Sequence, residues 1–155
     1  MQTLEGHLLG AADIRIAIVV SRFNEVVGKG LLDGAVDALV RHGIPDGNLT
    51  VVKVPGAYEI PLAAQELAKT GRYQGIVCLG AVIRGSTAHF DYVAGPMASG
   101  IANVSLATSV PIAFGVLTTD TLEQAVDRAG AKSGNKGSDA ALSTLEMIDL
   151  LRKIK

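Results

Sequence analysis

Four polar segments of the sequence carry the side chains most suited to chemistry. They read Ser21-Arg22-Phe23-Asn24, Pro55-Gly56-Ala57-Tyr58-Glu59, Ile83-Arg84-Gly85-Ser86-Thr87-Ala88-His89-Phe90 and Phe114-Gly115-Val116-Leu117-Thr118-Thr119-Asp120. The first three each follow a short β-branched run, and the fourth begins inside one. Because ligands of open parallel sheets bind beyond the carboxyl ends of the strands, we expect these segments to converge on one edge of a sheet.

The segment around His89 combines groups that could bind an anion with a group that could move protons. Gly85, Ser86 and Thr87 precede a long predicted helix, where hydroxyl and free N–H groups suit a phosphate. The same hydroxyls could instead cap the helix, and the two roles are compatible. His89 falls in the first turn beside them, and an imidazole can accept and donate a proton near neutral pH. A single histidine on a helix is more often structural, but this position favours proton transfer.

Further side chains could contact an organic substrate. Phe23 follows a strand in a polar segment, where its ring could stack on a planar heterocycle or cover the rim of the core. Glu59 could accept hydrogen bonds from a polyol or favour the N-terminus of the next helix. Arg128 and Lys136 are candidate phosphate ligands, although either residue alone is also typical of surface charge.

Two glycine clusters do not fit the nucleotide-binding motifs that they suggest. Gly28, Gly30 and Gly34 lack the G-x-G-x-x-G spacing and lie inside a predicted helix. Residues 130–137 lack a preceding strand, the second glycine of a phosphate-binding loop and a hydroxyl residue after the lysine. Cys78 lies within an apolar run, which favours a buried and unreactive thiol over a nucleophile.

The polar segments are joined by apolar runs that predict strands and by segments of helical period. The strand-like runs are nearly continuous in apolar residues, as expected for strands covered on both faces, and occupy residues 14–20, 49–54, 75–82 and 110–117. Helical spacing, with glycine and proline stop signals, predicts helices over residues 25–42, 61–69, 87–108, 121–129 and 139–153. We expect Gly95-Pro96 to kink the third of these helices or to make its first turn irregular.

This alternation predicts an α/β fold in which a parallel sheet lies between two layers of helices. The chain has no internal repeat, low-complexity tract or linker, so we expect residues 1–155 to form one domain. Residues 1–13 fit no helix pattern, and we expect them to form a loose arm or an edge strand docked on a neighbour.

The composition argues against several classes of protein. The chain has 155 residues, of which 48% are hydrophobic and 19% charged, so it can bury the core of one domain. Its formal net charge of −1 gives no electrostatic reason to bind nucleic acid or an anionic membrane. One cysteine and three dispersed histidines argue against a metal site, and we expect none. The first residues lack the basic and apolar regions of an export signal, which predicts a cytoplasmic protein.

Taken together, the polar segments resemble the lumazine synthase family of riboflavin biosynthesis. The resemblance rests on residues 21–24, 54–61, 80–90, 111–118 and 128–137, which occur in the expected order. It implies a flavodoxin-like fold, a three-layer α/β/α sandwich with a four-stranded parallel sheet. It also implies an enzyme that condenses 5-amino-6-(D-ribitylamino)uracil with 3,4-dihydroxy-2-butanone 4-phosphate to 6,7-dimethyl-8-ribityllumazine, releasing phosphate and water. The family reaction implies no metal and no cofactor.

The resemblance also implies a role for individual residues. The pyrimidine would stack on Phe23, the ribityl hydroxyls would bind Glu59, and His89 would transfer protons. The other residues implied for the aminouracil surround its ring and side chain: Ala57, Tyr58, Ala81, Val82, Ile83, Phe114 and Lys136. The residues implied for the butanone phosphate are Gly85, Ser86, Thr87 and Arg128.

The family resemblance further implies an oligomer. The pocket would lie between adjacent subunits of a pentamer, with Phe114, Arg128 and Lys136 supplied by the neighbour. A compact connection at residues 130–137 favours assembly of pentamers into a shell of sixty subunits, with riboflavin synthase as a further partner that such a shell could enclose. A binding protein that has lost the chemistry and a purely structural shell protein are alternatives, but the presence of His89 and Arg128 favours the enzyme.

Overall fold

The computed structural model describes all 155 residues and contains four strands and five α-helices. The strands are β1 (Ile16–Ser21), β2 (Leu49–Val54), β3 (Gly75–Ile83) and β4 (Ile112–Thr119). The helices are α1 (Glu25–Arg41), α2 (Ile60–Lys69), α3 (His89–Thr108), α4 (Leu122–Asp127) and α5 (Lys136–Ile154). None of these helices is long and apolar enough to cross a lipid bilayer.

The four strands form one parallel sheet in the order β2-β1-β3-β4. The predicted α/β fold is therefore confirmed, with β1 and β3 in the centre and β2 and β4 at the two edges. Because all strands run in the same direction, the segments that follow them emerge at one edge of the sheet. This edge holds the polar segments that the sequence indicated.

Alternate residues of the central strands face two different helical layers. Ile16 and Ile18 of β1 pack in one buried cluster with residues of α1 and α5. Ala17 and Val19 pack in the second cluster with residues of α2 and α3. Burial on both faces explains the continuous apolar runs, since neither face of these strands meets water. Full burial of each such aliphatic side chain contributes about 1.5–3 kcal/mol.

Cys78 lies in the middle of β3 and is fully buried against α2 and α3. Burial raises the pKa of the Cys78 thiol to about 12, because the thiolate would lose its hydration. The thiol therefore remains protonated and sheltered, as the apolar run around it predicts.

The helices depart from the sequence prediction at two places. Helix α3 begins at His89 and continues without interruption to Thr108, with Pro96 inside it. The helix is not interrupted at Gly95-Pro96, where the missing hydrogen-bond donor lies among residues exposed to solvent, and the kink expected there stays a prediction. Helix α5 begins at Lys136, three residues earlier than predicted, because Asn135 caps it.

The first fifteen residues contain neither helix nor strand and lie against this chain's own surface. The Gly10 N–H donates to the carbonyl of His42 after α1, and the His7 N–H donates to the carboxylate of Asp149 on α5. Lys153 of α5 donates to the carbonyl of Glu5. The predicted arm is therefore docked on α5 in the single chain, and docking on a neighbour stays a prediction.

Candidate active site

A cleft of about 600 Å³ opens where β1, β2 and β3 end and α3 begins. Most of the predicted site residues line it: Phe23, Ala57, Tyr58, Glu59, Ala81, Val82, Ile83, Gly85, Thr87 and His89. Three of the four polar segments thus converge, as the sequence predicts. The fourth segment does not reach this cleft.

The turn between β1 and α1 directs Phe23 into the cleft. Two backbone bonds continue the pairing of β1 with β2 up to this residue: the Arg22 N–H donates to the carbonyl of Val54 and the Phe23 N–H to that of Pro55. Asn24 adopts a left-handed conformation (φ 61°), and its amide lies 3.4 Å from the carbonyl oxygen of Ala81. The Phe23 ring remains 71% exposed and so does not cover the core. An exposed ring held by a fixed backbone suits stacking on a flat ligand.

The segment after β2 supplies a free carboxylate and an exposed aromatic ring. Ala57–Glu59 form a short 3-10 turn, followed by α2 with Pro61 in its first turn. Ala57 is buried, and Tyr58 is 61% exposed. Glu59 occupies the N-cap position of α2, but its side chain makes no capping hydrogen bond. Its carboxylate oxygens are therefore available to hydroxyl donors of a ligand.

The segment after β3 leaves the N-terminus of α3 open. Ala88 is the N-cap residue and contributes no side-chain bond. Thr87 lies one residue before the N-cap, and its hydroxyl accepts a hydrogen bond from the His89 N–H at 3.3 Å. The prediction that these hydroxyls cap the helix is wrong, since no side chain makes a capping bond to α3. Ser86 is exposed and does not line the cleft. Free N–H groups at the positive end of a twenty-residue helix form a suitable anion site beside the His89 ring.

A second cavity of about 480 Å³ lies along the outer strand β4 and the start of α5. Phe114, Arg128 and Lys136 line it, together with Thr118, Thr119, Ser133 and Asp139 among others. The two cavities have no lining residue in common. Within one chain, the predicted site is therefore divided into two parts.

The cations of the second cavity are not neutralised by carboxylates. Arg128 donates from Nη1 to the carbonyl of Gln124 at 2.9 Å, and neither Arg128 nor Lys136 takes part in any of the chain's ion pairs. Both side chains are exposed. Unpaired, exposed cations suit an anionic ligand.

Comparison with known proteins identifies the family of this chain. The family described as 6,7-dimethyl-8-ribityllumazine synthase matches residues 13–152. A protein of that name from Edwardsiella ictaluri (strain 93-146) is 58% identical over 156 residues, covering 100% of this chain and 99% of the relative. The chain belongs to the 6,7-dimethyl-8-ribityllumazine synthase family. The resemblance carried by the polar segments is confirmed, since all of them fall within the matched residues.

In this lumazine synthase family member, Asn135 holds the parts of the second cavity together. Its Oδ1 accepts hydrogen bonds from the N–H groups of Gly137 and Ser138 at the start of α5, at 2.8 and 3.1 Å. Its Nδ2 donates to the carbonyl of Gly30 on α1 at 2.9 Å. The side chain lies where a Cβ at Gly34 would be. Gly30 and Gly34 of α1 therefore allow this connection to pack closely, which explains these two glycines without a nucleotide.

Replacing Asn135 with alanine is expected to lower the free energy of unfolding by about 1–2 kcal/mol, because the helix cap is lost. The bond to the Gly30 carbonyl is lost as well. Asn135→Ser keeps a capping oxygen and loses only the bond to the Gly30 carbonyl, so its effect should be smaller. Urea unfolding followed by circular dichroism measures both changes, and an Asn135→Ala protein as stable as the parent would contradict this role.

Several residues that were not predicted as site residues also line the first cleft: Asn24, Pro55, Gly56, Phe90, Tyr92 and Val93. Phe90 and Tyr92 carried a usable signal, since two aromatic residues follow His89 in a chain with only three Phe and three Tyr. Asn24 carried none, because its bond to Ala81 joins residues that are far apart in sequence. Asp139, in the first turn of α5, was missed in the second cavity.

Proposed function

We propose that the protein condenses 5-amino-6-(D-ribitylamino)uracil with 3,4-dihydroxy-2-butanone 4-phosphate to 6,7-dimethyl-8-ribityllumazine, the penultimate step of riboflavin biosynthesis. The observation that carries the proposal is the 58% identity, over the whole chain, to a protein named 6,7-dimethyl-8-ribityllumazine synthase. The chemistry of the cleft supports it, because an exposed aromatic ring, a free carboxylate and an open helix N-terminus lie together.

The aminouracil would occupy the part of the cleft between the ends of β1 and β2. Its ring would stack on Phe23, whose position is fixed by backbone bonds to β2. The ribityl hydroxyls would donate to the free carboxylate of Glu59. The edges of the ring would meet the chain at Ala57, Tyr58, Ala81, Val82 and Ile83, which line the same cleft.

The phosphate of the second substrate would bind at the start of α3. Gly85, Ser86 and Thr87 precede this helix, and its free N–H groups favour an anion. Arg128 would add a permanent positive charge and a planar fork of donors that fits phosphate. The loss of phosphate during the reaction leaves a separate dianion, which the same groups would stabilise.

Since Arg128 lines a different cavity in the same chain, the site would be completed by a second copy. Phe114, Arg128 and Lys136 of one copy would face His89 of the next around a ring. β4 supports this arrangement, because it is an edge strand with one side free of strand pairing. The proposed assembly is a pentamer, with pentamers joined into a sixty-subunit shell.

The reaction mainly requires alignment and proton transfer. The primary amine of the aminouracil attacks the ketone and forms an imine with loss of water. Removal of a proton from the adjacent carbon expels phosphate and leaves an enol, which tautomerises to a ketone. The ribitylamino nitrogen attacks this ketone, and loss of a second water closes the ring. The overall change consumes no oxidant or reductant, and His89 lies where it could move these protons.

The proposal also includes the sixty-subunit shell and a cytoplasmic location. The connection of residues 128–135 between α4 and α5 is compact, and the mean hydropathy of the whole chain is +0.35, which is consistent with apolar surface buried between subunits. Large apolar side chains such as Val26 and Leu106 are about four-fifths exposed in the single chain, at 80% and 82%. A free, buried cysteine fits a reducing cytoplasm. Riboflavin synthase is the partner that such a shell would enclose, and native mass spectrometry measures the assembly.

The function is tested by incubating the purified protein with both substrates and following product absorbance and phosphate release. The proposal predicts that both signals rise together and that neither substrate alone gives either signal. Binding of added product without any turnover would instead indicate a carrier protein. Neither binding nor turnover in a correctly assembled oligomer would indicate a structural shell protein. Either of these last two results overturns the proposed function.

A further inference from the structure

We propose that Arg84 is a positioning residue for the reaction, because it joins the two ends of the segment that carries Thr87 and His89. This inference rests on the proposed function and assigns Arg84 no contact with either substrate. Arg84 would hold residues 85–88 in the orientation that presents the hydroxyl of Thr87 and the imidazole of His89 to the butanone phosphate.

The contacts of Arg84 span both ends of this segment. Its backbone N–H donates to the carbonyl of Thr119 at 2.8 Å, which continues the pairing of β3 with β4. Its Nε lies 3.2 Å from the carboxylate of Asp120, just after β4. Its Nη2 lies 3.8 Å from the carboxylate of Asp91 in the first turn of α3, and the guanidinium is 4.3 Å from the centre of the Phe90 ring.

The segment between these ends has little else to hold it. All residues from 84 to 89 are exposed, and no atom of another part of the chain lies within 4 Å of a Cβ built at Gly85. The bond between Thr87 and the His89 N–H is internal to the segment. The position of the segment over the cleft therefore depends on its ends, and Arg84 connects the first end to the second.

An arginine suits this task better than a lysine. Its planar group can lie over the Phe90 ring while different nitrogens face Asp120 and Asp91. A lysine carries one compact charge and cannot make these contacts together. Because ion pairs this exposed contribute little to overall stability, the loss of Arg84 should affect the site far more than the fold.

The test compares Arg84→Lys and Asp120→Asn with the matched control Arg152→Lys. Arg152 pairs with Asp13 at 3.0 Å with side-chain exposures of 45% and 70%, close to the 46% and 71% of Arg84 and Asp120. We expect both test variants to raise the KM for the butanone phosphate by about 10-fold and to leave the KM for the aminouracil within about twofold. The control should leave both constants unchanged.

Hydrogen exchange supplies a readout that does not need turnover. In both test variants, peptides covering residues 89–95 at the start of α3 should exchange about 10-fold faster than in the parent, because these residues lie in the helix that Arg84 holds through Asp91, while peptides from β1 should not change. Unchanged exchange in residues 89–95, or equal changes in the two KM values, would overturn the positioning role. An inactive parent protein would count against the proposed function instead, and the exchange result would still judge the role of Arg84.

The Asp120→Asn variant also separates positioning from direct phosphate binding. If Arg84 were itself a phosphate ligand, removing Asp120 would free its guanidinium and lower the KM for the butanone phosphate. The positioning role predicts the opposite change, because Asp120 fixes the guanidinium. A lower KM with unchanged exchange therefore overturns the proposal.

Discussion

Replacement of His89 by alanine is expected to lower turnover by about 10²–10⁴-fold, the usual contribution of one general acid–base group. Activity should remain measurable, because alignment of the two substrates in the cleft supplies much of the rate acceleration independently of His89. The KM values for both substrates should stay within about threefold of the parent, since the ring acts on protons more than on ground-state binding. Steady-state kinetics measure all three constants.

His42→Ala is the matched control for this substitution. His42 follows the last turn of α1, where its Nδ1 lies 2.7 Å from the carbonyl oxygen of Ala38, and it lines neither cavity. Its loss should leave turnover unchanged. Imidazole added to the solution should restore part of the turnover of His89→Ala, because it can take over the proton transfer. Full activity in His89→Ala would contradict the catalytic role.

Replacement of Arg128 by alanine is expected to raise the KM for the butanone phosphate by about 10–100-fold, since a hydrogen bond to a charged group contributes about 1.5–3 kcal/mol. The KM for the aminouracil should change little, because Arg128 is assigned only to the phosphate. Arg128→Lys keeps the charge without the planar fork and should recover part of the affinity. Initial rates at varied concentrations of each substrate measure these changes.

Lys132→Ala is the control for a general effect of positive charge in the connection between α4 and α5. Lys132 is exposed and lines neither cavity, so its removal lowers the local positive charge without touching the proposed site. If Lys132→Ala raised the KM for the butanone phosphate as much as Arg128→Ala does, the effect would come from the general positive charge of this connection and not from a specific contact. An unchanged KM in Arg128→Ala would remove Arg128 from the phosphate site.

The sheet and the first cleft could be predicted because the patterns that indicate them lie within short stretches of the sequence. A strand such as β1, buried on both faces, leaves an uninterrupted apolar run, and parallel strands bring their carboxyl ends to one edge. The helix starts were harder to predict. Lys136 begins α5 because the side chain of Asn135 caps it, whereas the glycines around this point favour a longer loop.

The remaining features depend on contacts between distant residues. Asn135 bonds to Gly30, 105 positions away, and Arg84 pairs with Asp120, 36 positions away. Neither pairing has a local pattern that a single sequence displays. The division of the predicted site residues between two cavities also has no local pattern, because Phe114 lies within β4 rather than in a loop after it. A site shared between copies stays a prediction that rests on the family resemblance.

The most direct test of the shared site mixes two defective chains. His89→Ala and Arg128→Ala chains, carrying different tags, are coexpressed, and assemblies that contain both are purified through both tags and assayed. If each site takes His89 from one copy and Arg128 from the next, random mixing leaves about one quarter of the sites with both groups intact. With the butanone phosphate held below the parent's KM, where Arg128→Ala is itself slow, the account therefore predicts activity near one quarter of the parent, well above either variant alone. Activity no greater than the average of the two variants would contradict it, because every chain would then form its site by itself.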